Sequence, residues 1–340
     1  MTIEAILESL PRHRQKEWTY QEIGNGNINY IYLAKCADQT VLIKHAEPYA
    51  RIDPVGFPLS IDRVSYEYAA YQIYGEIMPM RVPKMYGSGE HWIAMEYLTP
   101  HRVLRDVILA GEKPPHVGAH LGAFLGKVMA RTSQPDFVER LQFFENNLEM
   151  RKIIEDLDYT DPFRLSERNR GLSPEHDAFL NDAVLRGVAT RLRDDLIHKR
   201  QVFVHGDLHT GSVMVTATDT KVIDPEFALY GPIAFDPSRV IANFLMTHYA
   251  ADAHGLDRHY PLQQIDAFWD AFVSHFPEGQ RYWHEVLQHA GVEIYRRILG
   301  IAGVADFRSI QDRATRAAVE HEALLLGRRL MLTPDQCASL

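Results

Sequence analysis

The chain has 340 residues, 46% hydrophobic and 24% charged, with a formal net charge of −9, enough to bury a substantial core as two domains or one bilobal unit. Acidic and basic residues are interspersed, which argues against a nucleic-acid or anionic-membrane surface but leaves room for a local phosphate pocket. Two cysteines, Cys36 and Cys337, cannot build a disulfide framework or a Cys-rich zinc site; no apolar run approaches the ~20 residues of a membrane span, the N-terminus lacks a signal-peptide pattern, and the expected compartment is the reducing cytoplasm.

In chain order, Gly24-Asn25-Gly26-Asn27-Ile28-Asn29 precedes an apolar run from Tyr30 to Ala34, and after a polar turn at Asp38-Gln39 comes Val41-Leu42-Ile43-Lys44. This predicts strand, glycine loop, strand, turn, strand. Gly24 and Gly26 would let backbone amides approach phosphate oxygens, although a plain hairpin turn explains a lone Gly-x-Gly equally well. Lys44 ends the third run, where a kinase places the lysine that pairs the α- and β-phosphates; an edge-strand lysine is the bland alternative. Apolar residues at helical spacing from Ile61 to Ile77 predict a helix carrying Glu67, the natural ion-pair partner for Lys44. Val82 to Tyr86 and Trp92 to Leu98 predict the last strands of a small lobe. Met95, Glu96 and Tyr97 lead into a hinge near Tyr97 to Pro100 whose backbone would meet an adenine.

Beyond the hinge, Val117–Arg131, Pro174–Lys199, Phe235–Tyr249, Leu262–Phe276, Tyr282–Val304 and Thr315–Leu332 carry apolar residues at i, i+3, i+4 spacing and predict helices. Loop signals stand at Asp161-Pro162 and Leu172-Ser173-Pro174. Between the helices, the short apolar runs Val202-Phe203-Val204 and Lys221-Val222-Ile223 would deliver His205-Gly206-Asp207 and Asp224-Pro225-Glu226 to one edge. Asp207 is followed five positions later by Ser212, the spacing of a kinase catalytic loop, and Asp224-x-Glu226 stands where the kinase Asp-Phe-Gly would. Asp207 would orient an acceptor hydroxyl and take its proton. In an extended segment Asp224 and Glu226 would point to one face, and hard carboxylates suit Mg²⁺. His205 and His209 have the i, i+4 spacing of a metal pair, but Gly206 and Gly211 argue against a helix, and a structural His205 is the better reading. The fold expected is α+β and two-lobed, kinase-like, with a small antiparallel-sheet lobe at residues 1–98 and a helix-rich lobe at 99–340.

These strings resemble the 5-methylthioribose kinases, within the aminoglycoside-phosphotransferase and choline-kinase group. The resemblance runs through the Gly24–Asn27 loop, Ile43-Lys44-His45-Ala46-Glu47-Pro48-Tyr49-Ala50-Arg51, Pro58-Leu59-Ser60-Ile61-Asp62-Arg63 and Glu155-Asp156-Leu157-Asp158-Tyr159. It continues through His205 to Ser212 and Asp224 to Pro232. It implies ATP- and Mg²⁺-dependent phosphorylation of the anomeric hydroxyl of methylthioribose, in methionine salvage, by a homodimer. It also makes Ser212 a nucleotide-site residue and Arg296-Arg297 a substrate-binding pair. In an otherwise apolar helix the two arginines point about 100° apart, so one is expected on the buried face and the other on its flank. Another small sugar, an aminoglycoside, choline or a similar alcohol as acceptor remains open, as does a nucleotide-binding pseudokinase.

Overall fold

The computed structural model describes residues 2–10, 17–24, 26, 28–37, 39–165 and 176–337. The turn at Asp38 and the loop at 172–174 lie outside them. α1 (Ile3–Ser9) precedes a five-stranded antiparallel sheet built from β1 (Thr19–Glu22), β2 (Tyr30–Cys36), β3 (Gln39–His45), β4 (Met85–Gly89) and β5 (Trp92–Glu96), with α2 (Arg63–Ile77) inserted after β3. The spatial order is β1-β2-β3-β5-β4. Side chains alternate along β3. Val41 and Ile43, fully buried, pack with Ile6 and Leu7 of α1. Lys44 falls on the opposite face, toward α2, whose Ala70, Ile73 and Tyr74 join the main core with Ile93.

β6 (Arg102–Val103) opens the larger lobe, followed by α3 (Leu104–Leu109), α4 (Val117–Thr132), α5 (Val138–Gln142), α6 (Leu148–Tyr159), α7 (Asp177–Leu180) and α8 (Ala183–His198). Four short strands follow: β7 (Val202–Val204), β8 (Val213–Val215), β9 (Thr220–Val222) and β10 (Leu229–Gly231). α9 (Phe235–Ala250), α10 (His259–His275), α11 (Trp283–Leu299), α12 (Ala305–Arg308) and α13 (Arg313–Leu332) complete the lobe. β7 pairs with β10, and β8 lies between β6 and β9, so two small sheets carry the loops after β7 and β9. α4 crosses α10 closely because Gly118 and Gly122 present no Cβ where one would overlap the carbonyls of Gln264 and Phe268.

Most predicted elements are present, with differences of bounds and of number. The helix expected over Pro174–Lys199 is broken within its described part, because Asp182 caps α8 by accepting from the amides of Val184 (2.9 Å) and Leu185 (3.2 Å). The helix expected to reach Val304 stops at Leu299, where Gly300 is extended (ψ 177°). α1, α3, α5, α6, α12, β6, β8 and β10 had no counterpart in the sequence reading, and the strand expected over Val82–Tyr86 is β4 at Met85–Gly89. No helix among the described residues is long and apolar enough to cross a membrane.

Candidate active site

Lys44, 5% exposed, puts Nζ 2.7 Å from Glu67 Oε1 and 2.7 Å from Asp224 Oδ1. Burial opposes its charge, but Asp224 and Glu67 outweigh that and raise its pKa well above the ordinary lysine value. Burial likewise pushes the Glu67 carboxyl up, against the pull of Lys44. The ammonium thus joins one carboxylate from each lobe. In the glycine loop, Gly24 takes φ +77°, and the Gly26 carbonyl accepts from Arg51 Nη1 at 3.3 Å; Asn25 and Asn27, the other two loop residues singled out in the sequence, lie outside the described residues. At the hinge, Met95 is buried in the sheet, and the Glu96 amide donates to Lys84 O at 2.8 Å. Tyr97, one residue past β5, makes no backbone hydrogen bond among the described residues.

After β7 the chain turns at Gly206 (φ +88°), where a side chain would collide with the Phe227 carbonyl. Asp236, at the start of α9, grips the turn: its carboxylate accepts from the amides of His205 (2.6 Å) and Gly206 (3.1 Å). Burial pushes the Asp236 carboxyl up to about 7, those two amides opposing. His205, fully buried, donates Nε2–H to Ile223 O at 2.9 Å and accepts the Asp207 amide on Nδ1, so it is structural. Ser212 donates its hydroxyl to the Asp207 backbone carbonyl at 2.8 Å, and its own backbone carbonyl accepts the Ile223 amide at 2.9 Å. It therefore ties the loop after β7 to the end of β9.

Asp207 is the convergence point. Its Oδ1 accepts from Arg296 Nη1 (3.0 Å) and Arg297 Nη2 (3.2 Å), and its Oδ2 lies 3.3 Å from His209 Nε2. His209 Nδ1 accepts the Gly211 amide at 2.8 Å, which places the ring proton on Nε2, facing Asp207. Burial pushes His209 down to about 4, keeping the ring neutral near pH 7. For Asp207, burial alone would raise the carboxyl, but His209, Arg296 and Arg297 hold it well below the usual range.

Asp224 and Glu226 do not lie on an extended segment as expected. Asp224 is left-handed (φ 63°, ψ 48°), and Pro225–Phe227 form a 3₁₀ turn. The αL backbone suits Asp better than most side chains, and Tyr71 secures it by accepting the Asp224 amide at 3.0 Å. The Asp224 side chain stays 46% exposed. Glu226 is buried, its Oε2 accepting from Asn29 Nδ2 at 2.7 Å. Each carboxylate therefore keeps one oxygen without a protein donor among the described residues. Those residues include no group of three or more His, Cys, Asp or Glu arranged to hold a metal. Two half-engaged carboxylates match a Mg²⁺ that completes its coordination with water and phosphate oxygens.

Arg296 and Arg297 correct the one-in, one-out expectation: each is only 7% exposed. Both are buried because α11 carries its own counter-ion. Glu293 lies one turn earlier, with Oε1 2.6 Å from Arg297 Nε and Oε2 3.1 Å from Arg296 Nη1. Arg239 of α9 contacts Glu293 and also Asp158 of α6, and Asp158 in turn lies 2.9 Å from Arg296 Nε. Three guanidinia thus face three carboxylates, Asp158, Asp207 and Glu293. Sequence reasoning missed Glu293, Arg239, Asp236 and His209 as site residues.

Residues 19–289 match the model of the phosphotransferase enzyme family, APH, and the chain belongs to that family. Its fold is similar to a choline/ethanolamine kinase family protein from Mesorhizobium loti (TM-score 0.53, 13% identity, covering 97% of this chain and 94% of that one). It is likewise similar to an ethanolamine kinase of Plasmodium vivax (TM-score 0.53, 12% identity, 92% and 81%). In sequence it is 33% identical to the methylthioribose kinase of Escherichia coli O45:K1, over 94% of this chain and 88% of that enzyme. The Geobacillus kaustophilus methylthioribose kinase is 36% identical over 92% and 86%, and methylthioribose kinase 2 of Oryza sativa subsp. japonica 30% over 95% and 87%. Within the phosphotransferase family the chain is a member of the methylthioribose kinases.

Proposed function

We propose that this protein transfers the γ-phosphoryl group of ATP to the anomeric hydroxyl of 5-methylthioribose, a step of methionine salvage. The observation that carries the reading is Asp207, gripped by Arg296, Arg297 and His209 at the end of the loop after β7. Residues 1–98 form the nucleotide lobe and 99–340 the lobe that holds the acceptor. The loop through Gly24 and Gly26, Lys44, the backbone at Tyr97 and the loop pinned by Ser212 bind and orient ATP. Asp224 and Glu226 hold Mg²⁺, which when bound neutralises phosphate charge. Asp207 accepts a hydrogen bond from the acceptor hydroxyl and so aims its oxygen at the γ-phosphorus. Arg296 and Arg297 bind sugar oxygens and offset charge on the moving phosphoryl group. The working unit is a cytoplasmic homodimer, a reading supported by the family resemblance and by cysteine usage.

The test is ADP release by purified protein given ATP, Mg²⁺ and a panel of small alcohols that includes methylthioribose, choline and an aminoglycoside. The expected result is release dependent on methylthioribose. Release with another acceptor and none with methylthioribose overturns the substrate, and binding of ATP without release for any acceptor makes the chain a nucleotide-binding module.

A further inference from the structure

Asn29 sits where the glycine loop enters β2 and is 4% exposed. Its amide is committed in both directions: Nδ2 donates to Glu226 Oε2 at 2.7 Å, and Oδ1 accepts from Arg63 Nε at 2.9 Å. Arg63, 2% exposed, opens α2 and donates to the carbonyls of Ser60 (2.6 Å) and Glu47 (3.0 Å). One turn further along, α2 carries Glu67, the partner of Lys44. A buried cation and a buried anion are therefore joined through a neutral amide and do not touch each other. The same Asn29 is the contact that ties the glycine loop to a carboxylate 197 residues further along the chain.

The choice of an amide has a chemical consequence. If the need were only to satisfy Arg63, an aspartate would serve better, and if only to satisfy Glu226, a lysine or arginine would. An amide presents a donor to the anion and an acceptor to the cation at once, on two different atoms. It leaves Glu226 bonded to a neutral donor at Oε2, with no direct ion pair to Arg63. Glu226 thereby keeps one oxygen without a protein donor among the described residues, available to a divalent cation.

We infer that Asn29 is a positioning residue that couples the placement of the chain entering β2 to cation binding at Glu226. The inference rests on the proposed role of Glu226 in holding Mg²⁺ beside ATP. It requires the gain in ATP affinity on adding Mg²⁺ to depend on Asn29, while ATP binding without metal does not.

The test is calorimetric ATP binding with and without Mg²⁺, together with hydrogen exchange of backbone amides at residues 22–31, on wild type, Asn29→Ala and Asn29→Asp. Asn29→Asp keeps an acceptor for Arg63 but sets a carboxylate against Glu226, so it separates the coupling from the anchoring of α2, and it carries the test should Asn29→Ala fail to fold. Both variants should bind metal-free ATP within about threefold of wild type and lose at least about tenfold of the Mg²⁺-dependent gain. Both should also leave the 22–31 amides without the protection that wild type acquires with Mg²⁺ and ATP. In the Glu226→Gln background, Asn29→Ala should add no further loss. A folded Asn29→Asp with wild-type Mg²⁺ gain and wild-type loop protection overturns the inference. None of these readouts needs an acceptor, so wild-type turnover of methylthioribose in the same preparation reports separately on the proposed function.

Discussion

Replacing Asp207 by Asn keeps the side chain's size but removes the charge on which Arg296, Arg297 and His209 converge. The amide can still accept one guanidinium bond, yet its NH₂ would face a donor, and on the proposed reading the acceptor hydroxyl would lose the carboxylate that aims it. A positioned acid–base group contributes about 10²- to 10⁴-fold, so kcat should fall by that factor, about 2.7–5.4 kcal/mol in barrier height. Nucleotide binding should change little, because Lys44 and Gly26 make no hydrogen bond with Asp207 among the described residues. Stability should drop modestly. Arg296 keeps Asp158 at 2.9 Å and Glu293 at 3.1 Å, and Arg297 keeps Glu293 at 2.6 Å and the Ala302 carbonyl at 3.3 Å. The lost partner then costs about 1–3 kcal/mol. Steady-state ADP release gives kcat, calorimetry the ATP affinity and urea unfolding the stability. A variant that keeps more than about a tenth of wild-type kcat, short of the 10²-fold expected of such a group, refutes the assignment of Asp207.

Asp224→Asn should raise the Mg²⁺ concentration needed for half-maximal turnover and lower kcat together, since one anionic ligand is lost; an unchanged Mg²⁺ titration removes Asp224 from the site. Changing Arg296 and Arg297 together to Ala should raise the acceptor KM or lower kcat by at least about tenfold, roughly 1.4 kcal/mol, with the ATP KM little altered; wild-type acceptor kinetics in a folded double variant would make the pair structural. Glu293→Gln should destabilise the fold by about 3–5 kcal/mol, because it leaves buried guanidinia without their shared anion; a loss under about 1 kcal/mol in urea unfolding, the size of an exposed pair, would contradict the burial argument. His289 is buried against Tyr159, and burial lowers its pKa from 6.5 to about 3. A depressed histidine contributes stability that is present above the unfolded value and lost as pH falls toward the folded one. Between pH 7 and pH 4 the stability difference between wild type and His289→Phe should therefore shift by roughly 3 kcal/mol in favour of the variant, and a pH-independent difference would count against it.

The parts legible in the sequence are those in which a short apolar run hands a polar motif to an edge. Val202–Val204 is a strand as read, Lys44 is the buried next-to-last residue of β3, and Glu67 lies on the helix that faces it. Side-chain periodicity fixes such placements locally. What it could not give is the partner of a buried charge. α6 was overlooked although Met150, Ile153, Ile154 and Leu157 stand at i, i+3, i+4, i+7; what that pattern could not show is that its buried Asp158 meets Arg239 and Arg296. The left-handed Asp224 could not be foreseen either, since a residue before proline is biased toward extended backbone. One signal was available: Glu293 precedes Arg296 and Arg297 by three and four positions, the spacing at which helix side chains meet. An acid so placed beside two bases in an apolar helix points to a buried, self-neutralised cluster and away from a flanking arginine.

The electrostatics of that cluster bear on what Asp207 can do. A carboxylate held well below its ordinary pKa by two guanidinia and a neutral His209 is a weak base, and full proton removal from a sugar hydroxyl before bond formation would be steeply uphill. Phosphoryl transfer through a loose transition state asks for little nucleophile activation and much alignment. Asp207 is suited to that division: its Oδ1 is fixed by Arg296 and Arg297, its Oδ2 faces His209, and its backbone carbonyl is fixed by Ser212. On the proposed reading, the hydroxyl proton would cross to Asp207 late, as the new P–O bond makes it acidic. On this view the arginines tune the base downward in exchange for geometry. Neutralising one of them should therefore raise the basicity of Asp207 while lowering kcat, an ordering that a mechanism limited by proton abstraction would reverse.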